Sequence, residues 1–285
     1  MGLFVFLQVL KCLKKILWCM YDRFNRKINY LRISITDKCN MRCYYCMPSG
    51  GVELLRYEDI LSYEEMVEAV RYAVSQGISK VRLTGGEPLI RRNVTGLVKM
   101  LSEIEGILDL SMTTNGTFLK DFAPLLARAG LQRVNVSLDT LDPEKYRKIT
   151  RGGDLLKVIE GLEVAQKEGL LPIKINAVRH QSFSDEDQAR LTDFCRRNGF
   201  KLRFISEMNL DKGIFSVVEG GTGGNCQLCD RLRLTSNGKL KPCLFSNKGY
   251  DIRELGAEKA FDLALANKPR RGSTNTSCTF YKMGG

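Results

Sequence analysis

The fold is decided by a short cysteine-rich stretch near the start of the chain. It reads Thr36-Asp37-Lys38-Cys39-Asn40-Met41-Arg42-Cys43-Tyr44-Tyr45-Cys46. The run before it, Leu31–Thr36, is rich in aliphatic and β-branched residues and predicts a strand, so the cysteines occupy the loop that follows it. Three thiolates can bind three irons of a cubane and leave the fourth iron open to a small molecule. A structural zinc site takes four protein ligands, and this loop offers three cysteines and no histidine, so the pattern favours an iron–sulfur cluster over zinc.

Beyond this loop the chain alternates strand and helix patterns up to about residue 207. Six βα units in series predict an α/β fold with a parallel sheet, a partial (βα)6 barrel rather than the eight units that close a TIM barrel. Active sites of such sheets lie at the carboxyl ends of the strands, and we expect every candidate site residue there. The predicted strands are Leu31–Thr36, Lys80–Thr84, Asp109–Thr114, Gln132–Asp139, Pro172–Val178 and Lys201–Ile205, and the predicted helices are Glu64–Ser75, Val94–Ile104, Asp121–Ala129, Leu155–Glu168 and Asp185–Asn198.

The sequence pattern divides the chain into three regions. Residues 1–19 carry apolar side chains at helical spacing beside lysines, which predicts either an amphipathic helix on a membrane surface or a start assigned too early, with Met20 as the true start. Residues 20–207 hold the predicted barrel. Residues 208–285 begin with a glycine-rich loop and continue with a hairpin, whose strands Arg231–Thr235 and Leu240–Leu244 flank an Asn-Gly turn, and then a helix near Ala257–Ala266.

Charge and cysteine content narrow the class of protein. The formal net charge of +12 favours anionic partners, although a solvated basic surface explains it equally well, and no run of five or more like charges predicts a nucleic-acid-binding tail. His180 is the single histidine, which excludes any mechanism that needs two imidazoles. Ten cysteines without a convincing secretory signal indicate metal ligands rather than disulfides and a reducing, cytoplasmic compartment.

A second cysteine triad lies in the C-terminal region. Cys226, Cys229 and Cys243 match either a zinc hairpin, with Cys278 as fourth ligand, or a second cluster, and their spacing alone does not decide between the two. Arg231 and Arg233 would point to one face of the hairpin strand, where two guanidinium groups suit phosphate oxygens. A solvated strand face is the other interpretation of this pair. The arginines favour a cluster beside an anionic ligand.

The first triad and a motif one βα unit later resemble the radical S-adenosylmethionine (SAM) superfamily. The motif is Thr84-Gly85-Gly86-Glu87-Pro88, at the end of the second predicted strand. The resemblance covers roughly residues 28–207 and implies a [4Fe–4S] cluster on Cys39, Cys43 and Cys46. It also implies that SAM binds the open iron and is cleaved to a radical that takes a hydrogen atom from the substrate. The SAM contacts that it implies are Tyr45, Gly85, Gly86, Glu87, Thr114 and Ser137.

Further segments are similar to the GTP 3′,8-cyclase family of molybdenum-cofactor biosynthesis. They include Cys226-Gln227-Leu228-Cys229-Asp230-Arg231-Leu232-Arg233 and the Gly284-Gly285 terminus. The resemblance implies a lyase that converts GTP to (8S)-3′,8-cyclo-7,8-dihydroguanosine 5′-triphosphate, with a second [4Fe–4S] cluster on the second triad that binds guanine. It also implies that the terminus, Gly284 and Gly285, enters the active site. The GTP contacts that it implies are Arg32, Arg91, Lys174, Arg203, Arg231 and Arg233.

The same resemblance implies partners besides GTP. These are a low-potential electron donor such as flavodoxin or ferredoxin and a downstream cyclic pyranopterin monophosphate synthase. A homodimer stays open, no nucleic acid is expected, and membrane contact is expected only if residues 1–19 are real.

The chain departs from the family pattern in one large and two small ways. Only 22 residues separate Arg203 from Cys226, where the family has several tens more, and Ser206-Glu207 and Asp230 are smaller departures. These departures keep open a paralogue or maturase that acts on a different small molecule or peptide. A non-enzymatic zinc or iron–sulfur module is a third hypothesis.

Overall fold

The computed structural model describes residues 20–48 and 50–276. The predictions for residues 1–19, for Cys278 and for the Gly284-Gly285 terminus lie outside the described residues. Among the described residues, no helix combines the length and the hydropathy needed to cross a membrane.

Six parallel strands form the centre of the molecule and confirm the predicted partial barrel. After a small antiparallel hairpin of β1 (Met20–Tyr21) and β2 (Lys27–Ile28), they follow each other in chain order within one sheet. The inner strands of this sheet are buried on both faces, as expected for parallel strands that are covered by helices. The six strands are β3 (Tyr30–Ser34), β4 (Lys80–Thr84), β5 (Asp109–Thr114), β6 (Arg133–Ser137), β7 (Lys174–Arg179) and β8 (Lys201–Ser206).

Helices cover the outer face of these strands. Each buries an apolar stripe; α1, for example, begins at a capping box of Ser62 and Glu65 and buries Met66, Val70 and Ala73. One helix, α4, is absent from the sequence prediction because it is short and has few apolar residues, although Asp142 at its N-cap and Pro143 at its first position are start signals. The helices between the strands are α1 (Tyr63–Ser75), α2 (Val94–Ser102), α3 (Leu119–Arg128), α4 (Pro143–Thr150), α5 (Leu155–Lys167) and α6 (Asp185–Asn198).

The C-terminal region continues the same sheet. Strand β9 (Arg231–Leu234) pairs in parallel with β3, and β10 (Lys239–Lys241) and β11 (Tyr250–Asp251) add antiparallel strands beyond it. The predicted hairpin is therefore present, but its second strand ends at Lys241. Helices α7 (Ile252–Leu255) and α8 (Ala257–Ala266) follow. The boundary predicted at residues 207/208 stays a prediction, since one nine-stranded sheet spans both regions.

The pairing of β9 with β3 decides where the second triad lies. Cys226 and Cys229 precede β9, and β9 runs parallel to β3, so these two cysteines stand at the end of the barrel where its strands begin. The first triad follows β3 and stands at the end where the strands finish. The expectation that all site residues lie at the carboxyl ends of the strands is therefore wrong for the second triad and its arginines. The reason is the parallel addition of β9, which local sequence patterns do not reveal.

Candidate active site

A cavity at the carboxyl end of the strands holds the first triad. Cys39, Cys43 and Cys46 form one part of its wall, and the ends of β4, β5, β6 and β7 form the rest. The predicted SAM contacts that line this upper cavity are Tyr45, Gly85, Gly86, Thr114 and Ser137.

Gly85 and Gly86 are needed first for packing against the cysteine loop. The Gly86 amide donates to Thr36 O (2.8 Å) and the Glu87 amide donates to Lys38 O (2.8 Å). A Cβ atom added to Gly86 would stand 2.1 Å from Lys38 O, and one added to Gly85 would stand 2.6 Å from Thr36 O. Only glycine permits this approach. The Gly-Gly motif therefore fixes the cysteine loop onto the end of β4.

Glu87 is the one predicted SAM contact that does not line the upper cavity. Its carboxylate accepts hydrogen bonds from Thr114 Oγ1 (2.7 Å), from the Asn115 amide (2.7 Å) and from the Leu89 amide (3.0 Å). The group is fully buried, and burial raises its pKa to about 7. Glu87 therefore acts on the upper cavity through Thr114 and Asn115, which line it.

Tyr45 is held by a second buried carboxylate. Its hydroxyl donates to Asp139 Oδ2 (2.7 Å), and Asp139 Oδ1 accepts from the Val178 amide (2.8 Å). Burial raises the pKa of Asp139 to about 6. Asp139 was not among the predicted site residues; it lies just past the end of β6.

The surroundings of the first triad raise the pKa of every cysteine in it. Burial is the largest cause for Cys39, Cys43 and Cys46. The pKa of Cys46 reaches about 11, since the neighbouring Cys39 adds to the effect of burial. Nearby carboxylates act in the same direction: Glu87 on Cys39 and Asp139 on Cys43. Within residues 20–48 and 50–276, no cation is among the main causes that act on these three pKa values, so the thiolate form needs a metal to stabilise it.

A second cavity opens at the other end of the barrel and is strongly basic. Five of the six predicted GTP contacts line it, and they come from strands β3, β7, β8 and β9. Further cations that were not predicted also line it, together with Asp109 and Asp230. The predicted five are Arg32, Lys174, Arg203, Arg231 and Arg233, and the additional cations are Lys80, Arg82, Arg133 and Lys268.

The strand register sets three arginines side by side in this lower cavity. Arg32 on β3 stands between Arg82 on β4 and Arg233 on β9. All three are buried, and burial is the largest cause of the lowered pKa of each; for Arg233 the pKa falls to about 10. Neighbouring arginines lower these pKa values further. Like charges directly opposite each other in a sheet are destabilising, so an anionic ligand would stabilise this row of three arginines.

Two further cations of the lower cavity are placed by the loop before the second triad. Arg203 Nε donates to Gly220 O (3.3 Å), and Arg231 Nη2 donates to Thr222 Oγ1 (3.3 Å). Asp230, one of the departures from the family pattern, lies 4.0 Å from Lys80 Nζ and 3.3 Å from Arg231 Nε. These contacts partly balance the acid that Asp230 adds to the cavity.

Arg91 does not line the lower cavity, so the structure does not place it with the other predicted GTP contacts, and its role as a contact stays a prediction. Its guanidinium donates to Ile35 O and Leu61 O and lies 4.3 Å from the ring centroid of Tyr63. These partners join the end of β3 to the start of α1, outside the cavity. The motif position suggested a binding role, whereas the fold uses the side chain to tie two loops together.

The second triad lines the lower cavity in a cationic environment. Cys226, Cys229 and Cys243 form part of its wall, and Lys268 Nζ lies 3.4 Å from Cys229 Sγ. Burial acts to raise the pKa of Cys229, but the charge of Lys268, backed by Arg231, outweighs it and lowers that pKa. Burial prevails at Cys243, whose pKa is raised.

The two cavities meet inside the barrel. Asn176, Ile205 and Met208 line both of them, so the cavity of the first triad adjoins the basic cavity at these three residues. Neither Asn176 nor Met208 was predicted. A signal for Asn176 was present in the sequence, because it lies two residues after Lys174 on β7 and therefore faces the same side. Arg133 likewise lies four residues before Ser137 on β6, whereas no predicted site residue lies on the strand of Arg82.

The side chains of both triads fit iron–sulfur clusters. All six thiols are free and half-buried, each triad faces a cavity, and thiolate sulfur is the usual donor to such clusters. Within residues 20–48 and 50–276, no three histidine, cysteine or acidic side chains come close enough to bind a single metal ion.

Comparison with solved structures supports the fold. SuiB of Streptococcus suis bound to S-adenosylmethionine superimposes with a TM-score of 0.65 at 18% identity, covering 81% of this chain and 65% of that one. The enzyme described as anSMEcpe, bound to AdoMet and a peptide, gives a TM-score of 0.60 at 17% identity, covering 90% of this chain and 87% of that one. Identities this low show the fold alone.

Sequence comparison is more specific. A GTP 3′,8-cyclase of Thermodesulfovibrio yellowstonii is 40% identical over 282 residues, covering 83% of this chain and 88% of the relative. One of Alkaliphilus metalliredigens is 38% identical over 281 residues, covering 84% and 88%. Because 83% of 285 residues is about 237, roughly 45 of the 282 aligned positions have no counterpart here, in keeping with a shortened internal segment. Residues 33–195 match the radical SAM superfamily. The chain therefore belongs to the radical SAM superfamily and, within it, to the GTP 3′,8-cyclase family.

Proposed function

We propose that this protein is a GTP 3′,8-cyclase that forms (8S)-3′,8-cyclo-7,8-dihydroguanosine 5′-triphosphate in molybdenum-cofactor biosynthesis. The observation that carries the proposal is the pair of adjoining cavities, with a cysteine triad in each and a basic wall in only one of them. A substrate with a triphosphate and a reactive ribose would place its charged groups in the basic cavity and its ribose near the junction of the two.

The upper end would hold the cofactors. Cys39, Cys43 and Cys46 would bind a [4Fe–4S] cluster, and Tyr45, Gly85, Gly86, Thr114 and Ser137 would contact SAM. Together these groups supply a 5′-deoxyadenosyl radical that removes a hydrogen atom from the substrate. The protein contributes orientation: Asp139 fixes Tyr45, and Glu87 fixes Thr114 and the Asn115 amide.

The lower end would hold GTP. Arg32, Arg233 and Lys174 lie inside the barrel, where burial strengthens their attraction for phosphate oxygens. Arg203 and Arg231, oriented by Gly220 and Thr222, would complete the triphosphate site. Cys226, Cys229 and Cys243 would bind the second [4Fe–4S] cluster, which offers an open iron to guanine.

The overall conversion would need two electrons and one proton. One electron would be used to cleave SAM, the hydrogen atom on ribose C3′ would pass to the 5′-carbon of deoxyadenosine, and C3′ would bond to guanine C8. The second electron and the proton would then reduce guanine at N7, which gives the 7,8-dihydro product. A low-potential donor such as a flavodoxin or ferredoxin would supply electrons, and a cyclic pyranopterin monophosphate synthase would consume the product in the cytoplasm. The role of Gly284 and Gly285 in the active site stays a prediction.

The proposal is tested with GTP that carries deuterium at ribose C3′. Reconstituted protein is incubated anaerobically with SAM, reductant and the labelled GTP, and both products are analysed by mass spectrometry. We expect one deuterium in 5′-deoxyadenosine and the cyclised nucleotide in equal amount. Unlabelled 5′-deoxyadenosine that forms at the same rate without GTP would contradict the proposal and favour a paralogue with another substrate.

A further inference from the structure

Lys268 occupies an unusual place directly behind the second triad. It follows helix α8, and only 1% of the residue is exposed. Its ammonium group donates to Arg231 O (2.7 Å) and to Pro242 O (2.8 Å), and it lies 3.4 Å from Cys229 Sγ. An ammonium group has three hydrogens, so these three acceptors use all of its donor capacity.

The three acceptors belong to the two loops that carry the cysteines. Arg231 lies two residues after Cys229, and Pro242 directly precedes Cys243. Lys268 therefore holds the loop of the first two cysteines against the loop of the third. Removal of the side chain would leave two carbonyl groups without this donor in a buried place, which is costly.

The charge of Lys268 also requires a partner. No carboxylate in the described part of the chain forms an ion pair with it, and a fully buried cation without an opposite charge is expensive. The groups beside it that can become anionic are the thiols of Cys229 and Cys243. A cluster bound through three thiolates would provide that negative charge and would increase it on reduction.

We propose that Lys268 is a positioning residue of the second cluster, which fixes the two cysteine loops and donates an N–H···S hydrogen bond that raises the reduction potential of that cluster. Positive charge and hydrogen bonds at the sulfur favour the reduced, more negative form of a cluster. The inference rests on the proposed function, because it requires a cluster on the second triad.

Arg26 shows that holding this region together and tuning its charge are separable roles. Its guanidinium donates to Cys226 O (2.6 Å) and Pro269 O (2.7 Å), so it also braces the triad. Its charge, however, is balanced by Asp22, whose carboxylate lies 2.6 Å away. Of these two side chains, that of Lys268 is the one that lies within hydrogen-bond distance of a sulfur atom.

The experiment uses the full chain with Cys39, Cys43 and Cys46 all replaced by alanine, so that iron remains at the second triad alone. After anaerobic reconstitution, iron content is measured and the cluster is titrated with reductant while its EPR signal is followed. We expect about four irons per chain. In this background, Lys268→Met should shift the midpoint potential downward, whereas Lys268→Arg, which keeps charge and donors, should shift it less.

The matched control is Lys259→Met, which removes the same charge from an exposed position on α8 and should leave the midpoint unchanged. An unchanged midpoint in a Lys268→Met variant that retains its iron would overturn the proposal. If that variant loses its iron, Lys268→Gln is titrated instead, and an unchanged midpoint there has the same meaning. A background chain that binds no iron would contradict the second cluster, and with it the proposed function.

Discussion

The two cysteine triads lie at opposite ends of one barrel and differ in the charge that surrounds them. At the upper end, the buried carboxylates of Glu87 and Asp139 stand near the thiols, and burial raises the pKa of all three cysteines. At the lower end, Lys268 lowers the pKa of Cys229 against the effect of burial. The same three-cysteine chemistry is therefore placed in two opposite electrostatic environments.

This difference suits two different ligands. SAM carries a sulfonium and an ammonium group, which favour the carboxylate-rich end, whereas a triphosphate favours the end with the row of arginines. If each ligand bound at the opposite end, the triphosphate would face carboxylates and the cationic groups of SAM would face arginines, so the affinity for both ligands would fall. The charge difference thus gives each end its own ligand, and the predictions below test that division.

The largest effect is expected from the upper triad. Cys43→Ala removes one of three ligands of the first cluster, so SAM cleavage should fall by about 10³-fold or more, because the radical chemistry belongs to the cofactor. The measurement is 5′-deoxyadenosine release under anaerobic conditions. Cys195→Ala is the matched control, since this buried cysteine packs in the core outside both cavities. Equal losses in both variants would indicate general destabilisation instead.

The lower triad should separate radical formation from cyclisation. Cys243→Ala removes a ligand of the second cluster but leaves the upper cavity intact, so 5′-deoxyadenosine should still form while the cyclised nucleotide disappears. The measurement is the ratio of the two products, which we expect to be close to one in the unmodified protein. Normal cyclisation by this variant would show that the second triad does not hold the substrate.

The arginine row should govern GTP affinity. Arg233→Met removes a charge-assisted contact, so the dissociation constant of GTP should rise by about 10- to 100-fold, the equivalent of roughly 1.4–2.8 kcal/mol. Arg91→Met is the matched control: it should lower the melting temperature, because two carbonyl groups lose their donor, without changing GTP affinity. Titration calorimetry and thermal unfolding distinguish the two. The reverse result would restore Arg91 as the contact.

A smaller effect is expected from pH. Burial, followed by Arg133 and Arg203, lowers the pKa of Lys174 to about 8. The ammonium is therefore charged at pH 7 and loses its proton above pH 8, so GTP affinity should decline as the pH rises from 7 to 9, by up to about tenfold. In Lys174→Arg the charge persists and this decline should be reduced. An identical pH profile in the two proteins would assign the effect to another group.

Part of this site was predictable from local sequence because its geometry is local. The first triad, the Gly-Gly motif and the inward spacing of Arg231 and Arg233 depend on residues that are neighbours in the chain or alternate along one strand. The six barrel strands follow from hydrophobic pattern, and their ends differ from the prediction by only a few residues. Arg91 shows the limit of a motif, because position beside a motif does not reveal which partners the fold supplies to a side chain.

The sequence by itself determined the fold class, the two triads and most of the cations. Only the tertiary structure decided that the triads stand at opposite ends of one barrel. This depends on the parallel pairing of β9 with β3, which brings residues 231 and 30 together across about 200 residues of chain. The same holds for Lys268, whose sequence neighbours carry no sign of a metal site. Its role arises from three acceptors on two distant loops, and contacts of that kind form only when the chain has folded.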